Sequence, residues 1–558
     1  MKLFHTLSGT KFLRPVLFAL SLVFQAPCPS LHADEDRPPD IVLILADDLG
    51  FSDLGCYGGE IRTPVLDELA RNGQRYSQFY NAARCCPSRA SLLTGRYPHE
   101  AGIGHMTYDA GEPGYRGDLR KGTPTIAEIL KEAGYFTAMS GKWHVTYNVH
   151  SDSPKDNWPC QRGFDQFFGT LPGHGSFYDP AGLMRNNEPA KPEEGFFYTD
   201  AIADNAIGFI EQADDQPLFL YVAFTAPHYP LHAREESIES YNGVYDVGWD
   251  AIRKMRHENL IKEGIIPGGT ALTPRDPASI PWEEDPHRDW QAHRMQVYAA
   301  MVTEMDTAIG RIVESLQSND RLENSLLVFL SDNGGSNEGH LYNTIERMKK
   351  PWVSPVIPES APDGTPMRAG DWPGEPLGGP ATYGSYGPRW ANVSNTPFRR
   401  HKSWVHEGGI ATPCIIHFPR NKTIQPGSVS HRVSHIMDLL ASATPSGVIA
   451  NHQTHTDSRS VLRVNSSDRP LGWEHEGNRA FRMGKWKIVS EFPGTWTTMY
   501  PYEKEGRWEL YNLRKDRTEL NDLSEIHPDR LQSMISAYED WAERIGVIEW
   551  SELEGKKE

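Results

Sequence analysis

The chain has 558 residues, more than one ordinary hydrophobic core holds, so a large domain with a smaller companion is expected. Its 74 acidic and 56 basic side chains leave a formal charge of −18, with the two signs interspersed along the chain. That balance excludes a nucleic-acid binder, which needs a net basic surface, and an anionic ligand would have to be drawn by a local basic pocket.

Lys2, Lys11 and Arg14 precede the apolar run Val16 to Phe24, and a polar, acidic stretch follows. This is the layout of a secretory signal peptide, assigned here to residues 1–33, with the cleavage site left open because Leu31 is large for its position. The run is too short to span a bilayer, and no later stretch reads as a membrane span, so a protein exported to the periplasm or beyond is expected. The six cysteines, at 28, 56, 85, 86, 160 and 414, match no disulfide framework and no zinc spacing. Export permits disulfides without requiring them.

Pro39 to Leu45 is a continuous apolar, β-branched run, the pattern of a strand buried on both faces of a parallel sheet, and it leads into Asp47-Asp48. Thr63 to Gly73 and Thr123 to Gly134 each show a cap, a proline at the first helical position and a closing glycine. Three further strands end in polar clusters. Tyr135 to Met139 leads to Gly141-Lys142-Trp143-His144, Pro217 to Phe224 to Pro227-His228, and Ser325 to Leu330 to Asp332-Asn333-Gly334-Gly335. Open α/β sheets place their ligands at such carboxyl ends. Met295, Tyr298, Val302, Met305, Ile309, Ile312 and Leu316 recur at helical spacing, which predicts a helix lying on the sheet. Residues 340–400 are rich in Pro, Gly, Tyr and Trp without clear periodicity, and are assigned to a substrate rim together with 145–200. Arg479 to Val489 and Trp508 to Leu513 read as strands of a small antiparallel sheet, and Pro528 to Ile545 as an amphipathic helix. The expected fold is α/β: a large, mostly parallel sheet flanked by helices, spanning 34–440, with a smaller antiparallel sheet plus helix in 441–558.

Asp47, Asp48, Asp332 and Asn333 offer only oxygen donors. A lone Asp-Asp pair is more often a turn or a cap, but two such pairs at two strand ends point to a hard cation, calcium or magnesium rather than zinc. The remaining motif is Cys85-Cys86-Pro87-Ser88-Arg89-Ala90-Ser91-Leu92-Leu93-Thr94-Gly95-Arg96. Pro87 suits a first helical turn and Gly95 a helix end, which sets Cys85 at a helix N-terminus with Arg89 one turn on. The exposed amides and the guanidinium favour an anion there.

This string matches without a gap the signature of the formylglycine-dependent sulfatases, and from about Asp40 onward the chain resembles an arylsulfatase of that family, within the alkaline phosphatase superfamily. The resemblance implies that Cys85, at the right distance from Pro87 and Arg89, is oxidised to Cα-formylglycine by a maturation enzyme, while Cys86 fills a free position. It assigns Asp47, Asp48, Asp332, Asn333 and the oxygen of residue 85 to one divalent cation, with calcium expected and magnesium the alternative. It further implies that Arg89 and Lys142 hold the hydrated aldehyde and that His144 lies beside it. Lys142 and Lys402 would bind sulfate oxygens, and His228 would stand at the leaving oxygen. Lys402 is located by its distance from Glu407-Gly408-Gly409; His232 and His406 match no family role. The function expected is hydrolysis of an aryl or carbohydrate sulfate monoester. The competing readings are a formylglycine phosphonate monoester hydrolase or phosphodiesterase, and a sulfated-glycan binding protein that keeps a thiol at position 85.

Overall fold

The computed structural model describes residues 37–339, 356–444, 457–463, 469–492 and 506–554; the signal-peptide assignment and residues 340–355 of the rim lie outside them. The strands in chain order are β1 (Asp40–Ala46), β2 (Gln74–Tyr80), β3 (Phe136–Gly141), β4 (Gln166–Thr170), β5 (Leu183–Arg185), β6 (Glu188–Pro189), β7 (Leu218–Ala223) and β8 (Ser325–Ser331). There follow β9 (Arg368–Ala369), β10 (Thr382–Tyr383), β11 (Ala411–His417), β12 (Ser428–Ser430) and β13 (Ser434–His435). Last come β14 (Leu471–His475), β15 (Asn478–Met483), β16 (Trp486–Ser490) and β17 (Trp508–Asn512).

The large sheet runs β12-β2-β11-β8-β1-β7-β3-β4-β5-β6, with β13 also paired to β2. Its centre, β8-β1-β7-β3-β4, is parallel throughout, while β11 runs antiparallel to both β8 and β2. Alternation along each central strand divides the core in two. Val42, Ile44 and Ala46 of β1 face one side with Leu220, Val222 and Phe329; Ile41, Leu43 and Leu45 face the other with Phe219, Tyr221 and Val328. Burial on both faces is what the unbroken apolar runs predict. The helix Arg288–Ser318 covers the first face through the expected stripe, Met295 to Leu316, all of it buried. Each of those side chains contributes about 1.5–3 kcal/mol of transfer free energy.

The second sheet, β14-β15-β16-β17, is antiparallel and carries the helix Pro528–Ile545, whose Met534, Tyr538, Trp541 and Ile545 join the same core as the first face of the large sheet. Here the structure adds detail that periodicity hides. The run Arg479 to Val489 is two strands, β15 and β16, folded back at Gly484, which has φ 56°, and β14 precedes them. The helix expected from Thr123 begins only at Ile126. Thr125 is its cap, in a reciprocal box with Glu128, so Pro124 lies outside the first turn. Within 356–400 there is order after all: β9 pairs with β10, and Gly387–Ser394 is a helix that seats Trp390 against Trp249 and Trp282.

Candidate active site

Five elements deliver polar groups to one edge of the large sheet. Asp47 and Asp48 follow β1, Lys142 and His144 follow β3, His228 follows β7, and Asp332 and Asn333 follow β8. The helix Cys85–Thr94 starts with Cys85 and ends at Gly95 in the left-handed region, φ 65°. Lys402 reaches the same edge because β11 is antiparallel, so the residues before it lie where the other strands end. The Gly-Gly turns allow this approach: a Cβ at Gly334 would overlap the carbonyl oxygen of Gly408. Asp48 itself sits at φ 65°, a conformation Asp tolerates better than most residues.

All ten residues singled out by sequence meet here, and all are buried. Arg89 donates Nε and Nη2 to Asp332 Oδ2 at 3.0 and 2.7 Å, and Nη1 to the Lys142 carbonyl at 2.9 Å. Lys142 Nζ donates to Asp47 Oδ2 at 2.5 Å. Asn333 Nδ2 donates to Asp48 Oδ1 at 2.6 Å. Lys402 Nζ lies 2.9 Å from Asp48 Oδ2 and 3.2 Å from His228 Nε2. The donor atoms of Cys85, Cys86 and His144 lie within 4.8 Å of one another, and both thiols are free.

The electrostatics follow from this crowding. Burial, offset in part by Lys142 and Arg89, pushes Asp47 up to about 6; burial also raises Asp48 to about 6 and, with Asp47 beside it, Asp332 to about 7. Burial lowers His144 to about 4 and, with Lys402 and Lys142, holds His228 well below its ordinary value, so both rings are neutral near pH 7. His228 donates Nδ1 to the Tyr229 carbonyl at 2.6 Å, which leaves the Nε2 lone pair facing the Lys402 ammonium. In that pair the proton sits on Lys402, whose carboxylate neighbours Asp48 and Glu338 hold it charged against the cost of burial.

Two participants escape a sequence reading. Arg84, directly before residue 85, and Glu338, six residues after Asp332, pair at 2.6 Å. Glu338 also accepts from Lys402 at 3.1 Å. Burial alone would raise Glu338, but Arg84 and Lys402 hold its carboxyl down to about 2. Residue type offered one clue, a single further acid beyond Asp332 in the Gly-, Ser- and Asn-rich segment after β8. A third, His174, stacks on His228 at 5.6 Å. The two histidines without an expected role stay outside these contacts. His232 is fixed between the Phe177 amide and the Thr382 carbonyl, and His406 stands beside Glu491 and Glu509.

Comparison with known proteins agrees with this geometry. The family model described as Sulfatase matches residues 39–445. An uncharacterized sulfatase of Schizosaccharomyces pombe is 32% identical over 560 residues, covering 92% of this chain and 95% of its own. An arylsulfatase of Klebsiella aerogenes is 36% identical over 407 residues, covering 70% of this chain and 82% of its own. Among solved structures, Ps i-CgsB in complex with k-i-k-neocarrahexaose superposes with a TM-score of 0.62 at 25% identity, covering 92% of this chain and 95% of that one. The chain therefore belongs to the sulfatase family and is, like the arylsulfatases and steryl-sulfatases in it, a sulfuric ester hydrolase.

Proposed function

We propose that the chain hydrolyses the sulfate monoester of a sulfated glycan, with residue 85 as a hydrated formylglycine and a calcium ion held by Asp47, Asp48, Asp332, Asn333 and an oxygen of residue 85. The observation that carries this reading is the set of buried atoms left open at one place. Asp47 Oδ1 and Asn333 Oδ1 are buried with no hydrogen-bond partner. Buried oxygens without partners are costly, and an all-oxygen set suits a hard cation. The three raised carboxyls support the same reading, since a divalent ion would offset their mutual repulsion.

A sulfate monoester resists attack because its own oxygens repel the nucleophile. Lys142, Lys402 and Arg89 offset that charge, and a bound calcium ion would add Lewis-acid polarisation of a sulfate oxygen. A plain hydroxyl at position 85 would form a sulfate ester nearly as inert as the substrate. An aldehyde hydrate supplies two hydroxyls on one carbon, one to attack sulfur and one whose deprotonation expels sulfate by C–O cleavage. His144, neutral beside residue 85, is suited to take that proton. The pair His228 and Lys402 is suited to give one to the departing alcohol oxygen.

Two findings favour a sugar as the alcohol. One is the structural neighbour solved with an oligosaccharide. The other is a cavity of about 1110 Å³ lined by His150, Tyr178, Asp179, Lys191, Glu194 and Asp363, some of whose lining residues follow His144 and His174 within a few positions of the chain. Export through the N-terminal leader would bring the enzyme to such polymers. The test compares release of inorganic sulfate from sulfated oligosaccharides and aryl sulfates with release of the phenol from an aryl phosphonate monoester, using enzyme made with and without a formylglycine-generating activity. Sulfate release that needs the maturation activity and is lost in Cys85→Ser is expected; faster cleavage of the phosphonate would contradict the proposal.

A further inference from the structure

Glu338 stands outside the set of metal oxygens, yet its carboxylate ties three separate segments together. Oε1 accepts from Arg84 Nη2 at 2.6 Å, and Oε2 accepts from Lys402 Nζ at 3.1 Å and from Ser336 Oγ at 3.2 Å. Arg84 donates in turn to the hydroxyl of Ser403, the residue after Lys402. The segment after β8, the approach to residue 85 and the Lys402 loop are thus joined through one buried acid. Lys402 has two carboxylate neighbours, Asp48 and Glu338. A cation bound by Asp48 would take most of that group's charge, which leaves Glu338 as the anion that orients the ammonium.

We infer that Glu338 is a positioning residue for the reaction: it holds Lys402 Nζ against His228 Nε2, at the point where the leaving oxygen receives its proton. This inference rests on the sulfatase reading of the same site. A buried ammonium with a single anchor can rotate toward Asp48, whereas two carboxylates and an imidazole, all within 3.2 Å of Nζ, fix its direction. Arg84 holds the brace itself in place, because a carboxylate shared by two buried cations cannot leave either without exposing an uncompensated charge.

Leaving-group dependence tests this. A misplaced proton donor matters little for a good leaving group and greatly for a poor one. Wild type, Glu338→Gln, Glu338→Asp and His228→Ala would be compared on 4-nitrophenyl sulfate and phenyl sulfate, with folding checked by Tm. Glu338→Gln is expected to lose about 10-fold in kcat on the first ester and about 100-fold on the second, in the range of one general-acid contribution. Glu338→Asp, which keeps the charge but is one methylene shorter, should fall between it and wild type, and it decides the matter if the Gln variant does not fold. Equal losses on both esters, or a loss confined to KM, would overturn the inference while His228→Ala still steepens the dependence. Absence of steepening in His228→Ala, or of any turnover by wild type, would instead overturn the reading beneath it.

Discussion

Two buried ionic clusters in this molecule look alike in composition and differ in how they are closed. Where the second sheet meets the large one, Glu407 accepts from Tyr80 at 2.9 Å, Arg517 at 3.1 Å and Lys487 at 3.2 Å, and Lys487 also pairs with Glu519 at 2.7 Å. Burial would raise Glu407, but Lys487, Arg517 and Arg482 outweigh it and hold the carboxyl below its ordinary value. At the sheet edge the balance is reversed for the strand-end acids: Asp47, Asp48 and Asp332 are raised. A cluster whose central acid, Glu407, is lowered has settled that group's charge and serves as a joint. One whose acids are raised stores a demand for a cation, which is how a binding site differs from a brace.

Isosteric amides should separate the two. Asp47→Asn mimics the neutral acid that burial favours, so the calcium-free protein should keep or gain Tm while turnover falls by about 10³-fold. Glu407→Gln should cost about 3 kcal/mol, read by denaturant titration, and leave kcat of the folded enzyme within about twofold. Equal stability losses in both variants would erase the distinction. The next effect is linkage. Calcium at about 100 times its Kd should stabilise wild type and Glu407→Gln alike by about 2.7 kcal/mol, and Asp47→Asn by clearly less.

A smaller effect concerns pH in the calcium-saturated protein. Burial lowers His232 to about 4 and, with Arg469, lowers His435 to about 3. Both rings fold neutral, while the unfolded chain takes up protons below its ordinary value near 6.5. Stability from these groups is therefore full above 6.5 and lost as pH falls through 4 to 3. Tm should decline across that window, with a shallower decline in His232→Gln; parallel curves would contradict the assignment. The smallest effect is expected for Cys86→Ser. The Cys86 thiol touches the His105 carbonyl and Met106 sulfur at 3.6 Å each, and a serine hydroxyl can donate to the same carbonyl, so kcat should stay within about twofold.

The fold is legible in the sequence where a single segment carries the whole signal. The apolar runs of β1, β3, β7 and β8 exposed the parallel core, and the polar residues that end them marked the site edge. It is not legible where the signal is relational. Gln74–Tyr80 alternates weakly and Ala411–His417 holds a proline, yet their pairing with each other makes both interior strands. The turn at Gly484 splits what reads as one strand, because β15 and β16 are both apolar enough to run together. Arg84 and Glu338 stand 254 residues apart, and nothing in either neighbourhood announces the other. Cys85, Arg89 and the pairs Asp47-Asp48 and Asp332-Asn333, by contrast, sit in short motifs whose spacing alone predicts a shared task.

The chemical identity of residue 85 bears most directly on all of this. Mass spectrometry of the peptide that spans residues 85 to 96, taken from enzyme with measured sulfate-releasing activity, should find an aldehyde or its hydrate at position 85 and an intact thiol at 86. A fully active preparation that keeps the thiol at position 85 would contradict the account.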